Sequence, residues 1–350
     1  VELIEKAERP VFYTGGGVIN SGAAASQLLT ELVDATGFPC TSTLMGLGAY
    51  PASGKSWLGM LGMHGLYEAN MAMHDCDLMI CVGARFDDRI TGRVADFSPG
   101  SVKAQIDIDP SSINKVIRVD VPIVGDVGHV LEDLLKIWKS RGRKTNPAVQ
   151  QWWAQIEQWR AKNCLGYRPS DSVIKPQHAM ERLEALTAGH DRYITTEVGQ
   201  HQMWASQFVA YERPRQWLNS AGLGTMGFAV PAALGAKVAC PDKEVWAIDG
   251  DGCFQMTNQE LTTAALEGFP FKVAVINNGN LGMVRQWQTL FFNENYSHTK
   301  LRERDVYTPD FVRLAEALGC EAIRVTCEEE VVPAIERARA INDRPVVIDF

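Results

Sequence analysis

Two runs decide the fold of this chain: Glu244-Val245-Trp246-Ala247-Ile248-Asp249-Gly250-Asp251-Gly252 and Phe271-Lys272-Val273-Ala274-Val275-Ile276-Asn277-Asn278. Each opens as a short apolar strand-like stretch and closes on residues that end strands. The residues between them are patterned as a helix, so the whole reads as a βαβ unit. A right-handed crossover puts both strand ends on one edge of a parallel sheet, where ligands of open α/β folds collect. Asp251 and Asn278 are therefore expected to converge on one ion.

The alternation extends in both directions. Strands are expected at 10–14, 39–42, 78–82, 102–108 and 122–124, with helices at 23–36, 67–74 and 127–137. A second series begins near Pro176, with strands expected at 193–196, 216–218, 244–248, 272–276, 321–325 and 346–348. Between the two, Trp152, Trp153, Ile156 and Trp159 fall at helical spacing and read as a linker helix on a domain surface. The expected architecture is α/β, with two doubly wound parallel-sheet domains at 1–140 and 176–350 and a linker region at 141–175.

The residue types at the two strand ends suit a magnesium-diphosphate site. Magnesium takes about six oxygens, commonly from one or two carboxylates, amide or backbone carbonyls, water and phosphate. Asp251 supplies charge and Asn278 a neutral oxygen. Gly250 and Gly252 leave the backbone open to a diphosphate, and Thr257 with Glu260 is placed to cap the next helix. A tight turn followed by an asparagine-rich loop is the plainer reading of the same residues. In the first half, Gly15-Gly16-Gly17 follows a strand, but Asn20 stands where G-x-G-x-x-G needs its third glycine. The residues alone leave that run as a phosphate loop or an ordinary turn.

A formal net charge of -8 gives no basic surface for nucleic acid. The run Lys136 to Lys144, which includes Arg143, reads as a solvated helix end. No apolar stretch approaches the roughly 18 residues that suggest a membrane span, and no signal-peptide pattern opens the chain. The eight cysteines lack C-x-x-C pairing, and Cys40, Cys81 and Cys240 sit in apolar surroundings, which suits buried thiols in a reducing compartment such as the cytoplasm. A zinc site is not expected.

Five further segments narrow the field: Thr43-Leu44-Met45-Gly46-Leu47-Gly48, Leu61-Gly62-Met63-His64-Gly65, Gly83-Ala84-Arg85-Phe86-Asp87-Asp88-Arg89, Val198-Gly199-Gln200-His201-Gln202-Met203-Trp204 and Leu281-Gly282-Met283-Val284-Arg285-Gln286-Trp287. With the Gly-Asp-Gly and Asn-Asn pair they resemble, end to end, the catalytic subunit of the acetohydroxyacid (acetolactate) synthase family of thiamine diphosphate enzymes. The resemblance implies that the first domain holds FAD through Gly15, Gly16, Gly17, Thr43, Leu44, Met45, Met63, His64, Gly83, Arg85, Asp107, Ile108, Asp126 and Val127. It implies that the second holds thiamine diphosphate through Gln200, His201, Gly224, Met226, Gly250, Asp251, Gly252 and Asn278. The Mg2+ ligands would be Asp251, Asn278 and the carbonyl of Asn280. Met283 would lie beside the thiazolium, Trp287 would line the second substrate's entrance, and Arg89 would grip a 2-keto acid carboxylate. Read without the family, His64 could equally be a surface residue; a surface ion pair is the competing reading of Arg89, and core packing that of Met283 and Trp287.

The implied reaction is decarboxylation of pyruvate and carboligation to pyruvate or 2-ketobutyrate, the first common step of branched-chain amino-acid synthesis. The flavin is implied to be structural. Homodimers or larger oligomers and a regulatory small subunit are implied partners, and a plant source would imply an organellar stroma. Because the chain starts at Val1 and stops after a strand-like run, it is expected to lack the family's N-terminal pyrimidine-binding domain and C-terminal tail. The glutamate that contacts the aminopyrimidine belongs to that N-terminal domain, so this chain alone is expected to be inactive. The alternatives are another flavin-containing thiamine enzyme, such as a pyruvate oxidase, and a cofactor-binding fragment.

Overall fold

A computed structural model describes residues 1–142, 144–301 and 308–350; Arg143, expected in a solvated basic helix end, lies outside the described residues. The chain forms two compact units, Val1–Gly166 with Ala210–Arg215 and Tyr167–Val209 with Gln216–Phe350. Each is built on a six-stranded parallel sheet, the α/β architecture expected.

In the first unit the strands are β1 (Pro10–Thr14), β2 (Cys40–Ser42), β3 (Trp57–Met60), β4 (Leu78–Val82), β5 (Val102–Asp107) and β6 (Val121–Val124), in the order β3-β2-β1-β4-β5-β6. Alternate residues of the central strands feed two cores, as a parallel sheet covered on both faces requires. Phe12, Ile80 and Val82 pack with Leu29, Leu32, Leu131 and Leu135. Val11, Tyr13, Met79 and Cys81 pack with Ala69, Ala72 and Met73. The helix Val149–Arg160, read in the sequence as a linker on a surface, belongs to this second core. Trp152, Ile156 and Trp159 are buried in it, and the Trp152 indole N–H donates to the Pro10 carbonyl at 3.0 Å. Among the described residues of 141–175, those up to Gly166 belong to the first unit and those from Tyr167 to the second.

Strand β3 was not expected. Gly59 interrupts its apolar pattern with φ at +86°, and the β2–β3 register shifts between Cys40 and Ser42. A glycine inside a strand commonly marks such an irregularity.

The second sheet contains β7 (Arg192–Thr196), β8 (Trp217–Asn219), β9 (Glu244–Gly250), β10 (Lys272–Ile276), β11 (Glu321–Arg324) and β12 (Val346–Asp349), ordered β11-β12-β10-β9-β7-β8. From β7 the chain steps to one side for β8, then to the other for β9 and β10. The strand order therefore reverses between β7 and β9. Val245, Ala247, Val273 and Val275 build the core beneath with Phe254, Leu261, Phe271 and Phe311. Thr257 does not cap the helix Glu260–Leu266 as the capping-box spacing suggested. It closes the preceding helix Asp251–Thr257, and its hydroxyl donates to the Gly227 carbonyl at 2.8 Å. All eight cysteines are unpaired, with Cys40 and Cys81 buried; Cys240, expected to be buried, is only half-buried, its thiol 3.7 Å from the Tyr193 hydroxyl.

Candidate functional site

Crevices at the carboxyl ends of strands, where strand order reverses, are where open α/β sheets bind ligands. Between β7 and β9 the second unit has one. Its cavity, about 120 Å³, is lined from the β7 end by Val198, Gly199, Gln200 and His201, and from the β9 end by Gly250, Asp251, Gly252 and Cys253. The β10 end contributes Asn278, Asn280 and Met283, and Met226 and Trp204 close the wall. Gly224 and Trp287 are not among its lining residues. Trp287 instead lines a neighbouring cavity of about 460 Å³ that shares Met283 and Val284.

Asp251 sits at the base, 2 % exposed. One carboxylate oxygen accepts from the Gly279 N–H at 2.5 Å and the other from the Gly252 N–H at 2.9 Å. Burial nevertheless pushes its pKa up to about 6. A carboxylate held in that position gains from a cation beside it. Asn278 folds its loop into a local turn: its side-chain oxygen accepts from the Asn280 N–H at 2.9 Å, and its own carbonyl accepts from the Asn280 amide at 2.7 Å. Asn277 points elsewhere, donating to Asp349 at 2.8 Å. Of the asparagine pair, one residue faces the cavity. Asp251, Asn278 and Asn280 thus bring a carboxylate and neutral oxygens to one place, a hard-donor set that fits Mg2+.

Beside this layer lies a buried group of which the sequence reading named His201 alone as a site residue. Glu197, His201, Asp249 and Cys253 are all buried, each with a polar atom within 4.8 Å of the others. Burial, and then the Glu197 carboxylate, raise the Asp249 carboxyl well above its usual range. Glu197 accepts from the Ala229 N–H at 3.0 Å through one oxygen, while the Asp249 carboxyl, whose oxygens have no hydrogen-bond partner among the described residues, favours its protonated form. Burial lowers His201 to about 4, so the imidazole is neutral at pH 7. The Cys253 thiol, raised by burial, donates to the Val198 carbonyl at 3.3 Å. Such protonated, interior groups support the cavity floor. Glu197 and His201 lie four residues apart, as do Asp249 and Cys253, but the two pairs stand at the ends of different strands, β7 and β9, so their meeting is set by strand order, which spacing does not reveal.

In the first unit, the residues expected to hold a nucleotide all follow strand ends: Gly15, Gly16 and Gly17 after β1; Thr43, Leu44 and Met45 after β2; Met63 and His64 after β3; Gly83 and Arg85 after β4; Asp107 and Ile108 at the end of β5; Asp126 and Val127 after β6. In a parallel sheet these ends share one edge, and the order again reverses, here between β1 and β4. At that point the glycine turn meets Gly83. A Cβ on Gly17 would lie 2.6 Å from the Gly83 Cα, and the Gly17 N–H donates to the Gly83 carbonyl at 2.9 Å. Close backbone packing by itself accounts for Gly17. Met45, Met63 and Ile108 are exposed apolar residues on this edge, which suits an aromatic ring system. Asp126 has a second duty: its carboxylate accepts from the Ser21 hydroxyl at 2.8 Å and the Gly128 N–H at 2.9 Å, capping the helix Val127–Ser140. Arg85 pairs with Asp87 at 3.5 Å and Arg89 with Asp88 at 3.0 Å, all four exposed. The Arg89 carbonyl accepts from the Met63 N–H at 2.8 Å, and Arg89, after burial, holds down the pKa of His64.

Comparison with known proteins agrees with this division. Residues 1–134 match the thiamine pyrophosphate enzyme central domain, and residues 197–350 the thiamine pyrophosphate enzyme C-terminal TPP binding domain. The chain is 56 % identical over its whole length to the acetolactate synthase large subunit of Corynebacterium glutamicum, of which it covers 55 %. It is 53 % identical to the acetolactate synthase of Mycobacterium leprae, covering 56 % of it, and 45 % identical to the isozyme 3 large subunit of Escherichia coli, covering 60 %. The chain thus spans little more than half the length of these relatives. With both domain models on the chain, it belongs to the thiamine pyrophosphate enzymes, and along its whole length it is similar to acetolactate synthase large subunits.

Proposed function

We propose that the protein acts as an acetolactate synthase, with thiamine diphosphate and Mg2+ in the second unit and FAD in the first. The observation that carries this reading is the meeting of Gln200, His201, Asp251, Asn278, Asn280 and Met283 on one cavity at the β7–β9 crevice. When bound, thiamine diphosphate supplies the carbanion chemistry by which pyruvate loses carbon dioxide and its remainder joins a second 2-keto acid. The chain's own residues do the rest. Asp251 and the Asn278 and Asn280 oxygens hold the cation, and Gln200 with the neutral His201 and the start of the helix Gln200–Phe208 faces the diphosphate. The Gly224 carbonyl and Met226 hold the aminopyrimidine, and Met283 and Ile276 keep water from the reacting end.

Arg89 offers a bidentate clamp for the keto acid carboxylate, oriented by Asp88. FAD lies along the strand ends of the first unit in a structural role, on the apolar surface of Met45, Met63 and Ile108. The large-subunit names of the relatives support a small regulatory subunit as a partner, and assembly with further copies of the chain belongs to the same proposal. Among the described residues no helix is long and apolar enough to cross a membrane, and the site of action proposed is the cytoplasm. Titration of the cofactor-free protein tests the assignment: Asp251→Ala and Asn278→Ala should each abolish Mg2+-dependent thiamine diphosphate binding and leave FAD binding intact. Unchanged thiamine diphosphate affinity in both variants would overturn the metal site.

A further inference from the structure

The helix Gly282–Phe291 carries Met283 and Trp287, yet none of its residues is buried. Core packing does not fix such a helix, and its placement falls to a few polar tethers. On one side Gln288 donates to the Ser297 carbonyl at 2.9 Å and accepts from the Thr299 hydroxyl at 2.8 Å, while the Leu281 N–H donates to the Thr299 carbonyl at 2.7 Å. On the other side stands a relay of three side-chain amides. Asn278 Nδ2 donates to Gln200 Oε1 at 3.4 Å, and Gln200 Nε2 donates to Gln286 Oε1 at 3.0 Å. The relay crosses the first residue of the helix, where a Cβ on Gly282 would collide with Gln200 Oε1 and lie 2.9 Å from Asn278 Nδ2.

We propose that Gln286 is a positioning residue. Through Gln200 it ties the helix bearing Met283 and Trp287 to the amides that face the diphosphate and the cation. The proposal rests on the thiamine diphosphate reading above. Gln200 and Asn278 line the cavity, whereas Gln286 does not, so Gln286 acts on cofactor binding at second hand, through its hydrogen bond to Gln200 and the helix which that bond tethers. The chemistry is directional. A glutamine side chain can rotate by half a turn and exchange donor for acceptor. The carbonyl oxygen of Gln286 selects the rotamer in which Gln200 turns its NH2 toward the helix and its oxygen toward Asn278. Without that acceptor both the rotamer and the helix are freed together. Coupling of this kind is reciprocal: cofactor in the cavity orders the helix, and an ordered helix favours the cofactor.

Gln286→Met tests this, since methionine keeps the length of the side chain and a strong helix preference but removes the acceptor. Binding of Mg2+ and thiamine diphosphate to the cofactor-free protein is measured by calorimetry, with hydrogen exchange at residues 282–291 as an independent readout. The expected result is affinity weakened about three- to tenfold, with faster exchange along 282–291. In a Gln200→Ala background, Gln286→Met should cost nothing further, because its route is already cut. An affinity within about twofold of the unsubstituted protein with unaltered exchange would overturn the proposal. So would the same fold-loss in both backgrounds. Failure of the unsubstituted protein to bind thiamine diphosphate would overturn the functional reading and the coupling with it; unaltered exchange in the variant would overturn the tether alone.

Discussion

Asp251 places a buried carboxyl in the cavity proposed to hold the cation, and its pKa of about 6 gives that proposal a pH signature. In the unfolded chain an aspartate titrates near 3.9, so the folded value is raised. The stabilising contribution of such a group is fully present below about pH 4 and is lost as pH rises through about 6. At pH 7 the cation-free protein holds a buried carboxylate at a cost on the order of 3 kcal/mol, which a bound cation relieves. Below pH 6 a proton competes for the same oxygens. The rise in Tm on adding Mg2+ and thiamine diphosphate should therefore be larger at pH 7 than at pH 5, and this difference should vanish in Asp251→Asn. Equal gains at both pH values would remove Asp251 from the metal site. At this scale the sequence was informative where a residue follows its own strand end, as Asp251 and Asn278 do. It was silent on Glu197, Asp249 and Gln286, whose partners are set by strand order and helix placement rather than by spacing.

The helix Gly282–Phe291 shows what pattern can and cannot say about an element. Its apolar positions Met283, Trp287, Leu290 and Phe291 fall at helical spacing, a face that ordinarily packs into a core. Here the face is open: Val284, Leu290 and Phe291 are exposed, and Trp287 meets Phe291 edge-on at 5.6 Å beside the larger cavity. Periodicity marks a helical face here but not what that face meets. Trp287 thus lines a pocket and belongs to none of the three buried cores described above. Trp287→Leu should leave thermal stability within about 1 kcal/mol, as for a site outside the core. It should shift the ratio of products formed from pyruvate and 2-ketobutyrate by roughly 10-fold or more. A competition assay with both keto acids reads the ratio. An unaltered ratio would argue that Trp287 does not touch the second substrate.

For the molecule as a whole, the strand series and its fold class were legible because parallel strands buried on both faces announce themselves as short apolar runs between turns. The boundaries were less so. Trp152, Ile156 and Trp159 announced a packed helical face but not which sheet it covers, and nothing in composition marks Ala210–Arg215 as part of the first unit. Each unit has its own sheet and its own cores, so each opens and closes against its own contacts. A ligand that binds only the closed form of a unit suppresses the openings of that unit. FAD should therefore slow amide exchange chiefly at 14–18, 82–85 and 126–130, where the strand ends of the first sheet lead into its helices. Thiamine diphosphate with Mg2+ should do so chiefly at 197–202, 250–254 and 278–284. Exchange mapped with each cofactor added singly checks the assignment. Protection by FAD confined to the second set would mean that the first unit's edge, with its capping Asp126 and packed Gly17, is built for stability and the flavin sits elsewhere.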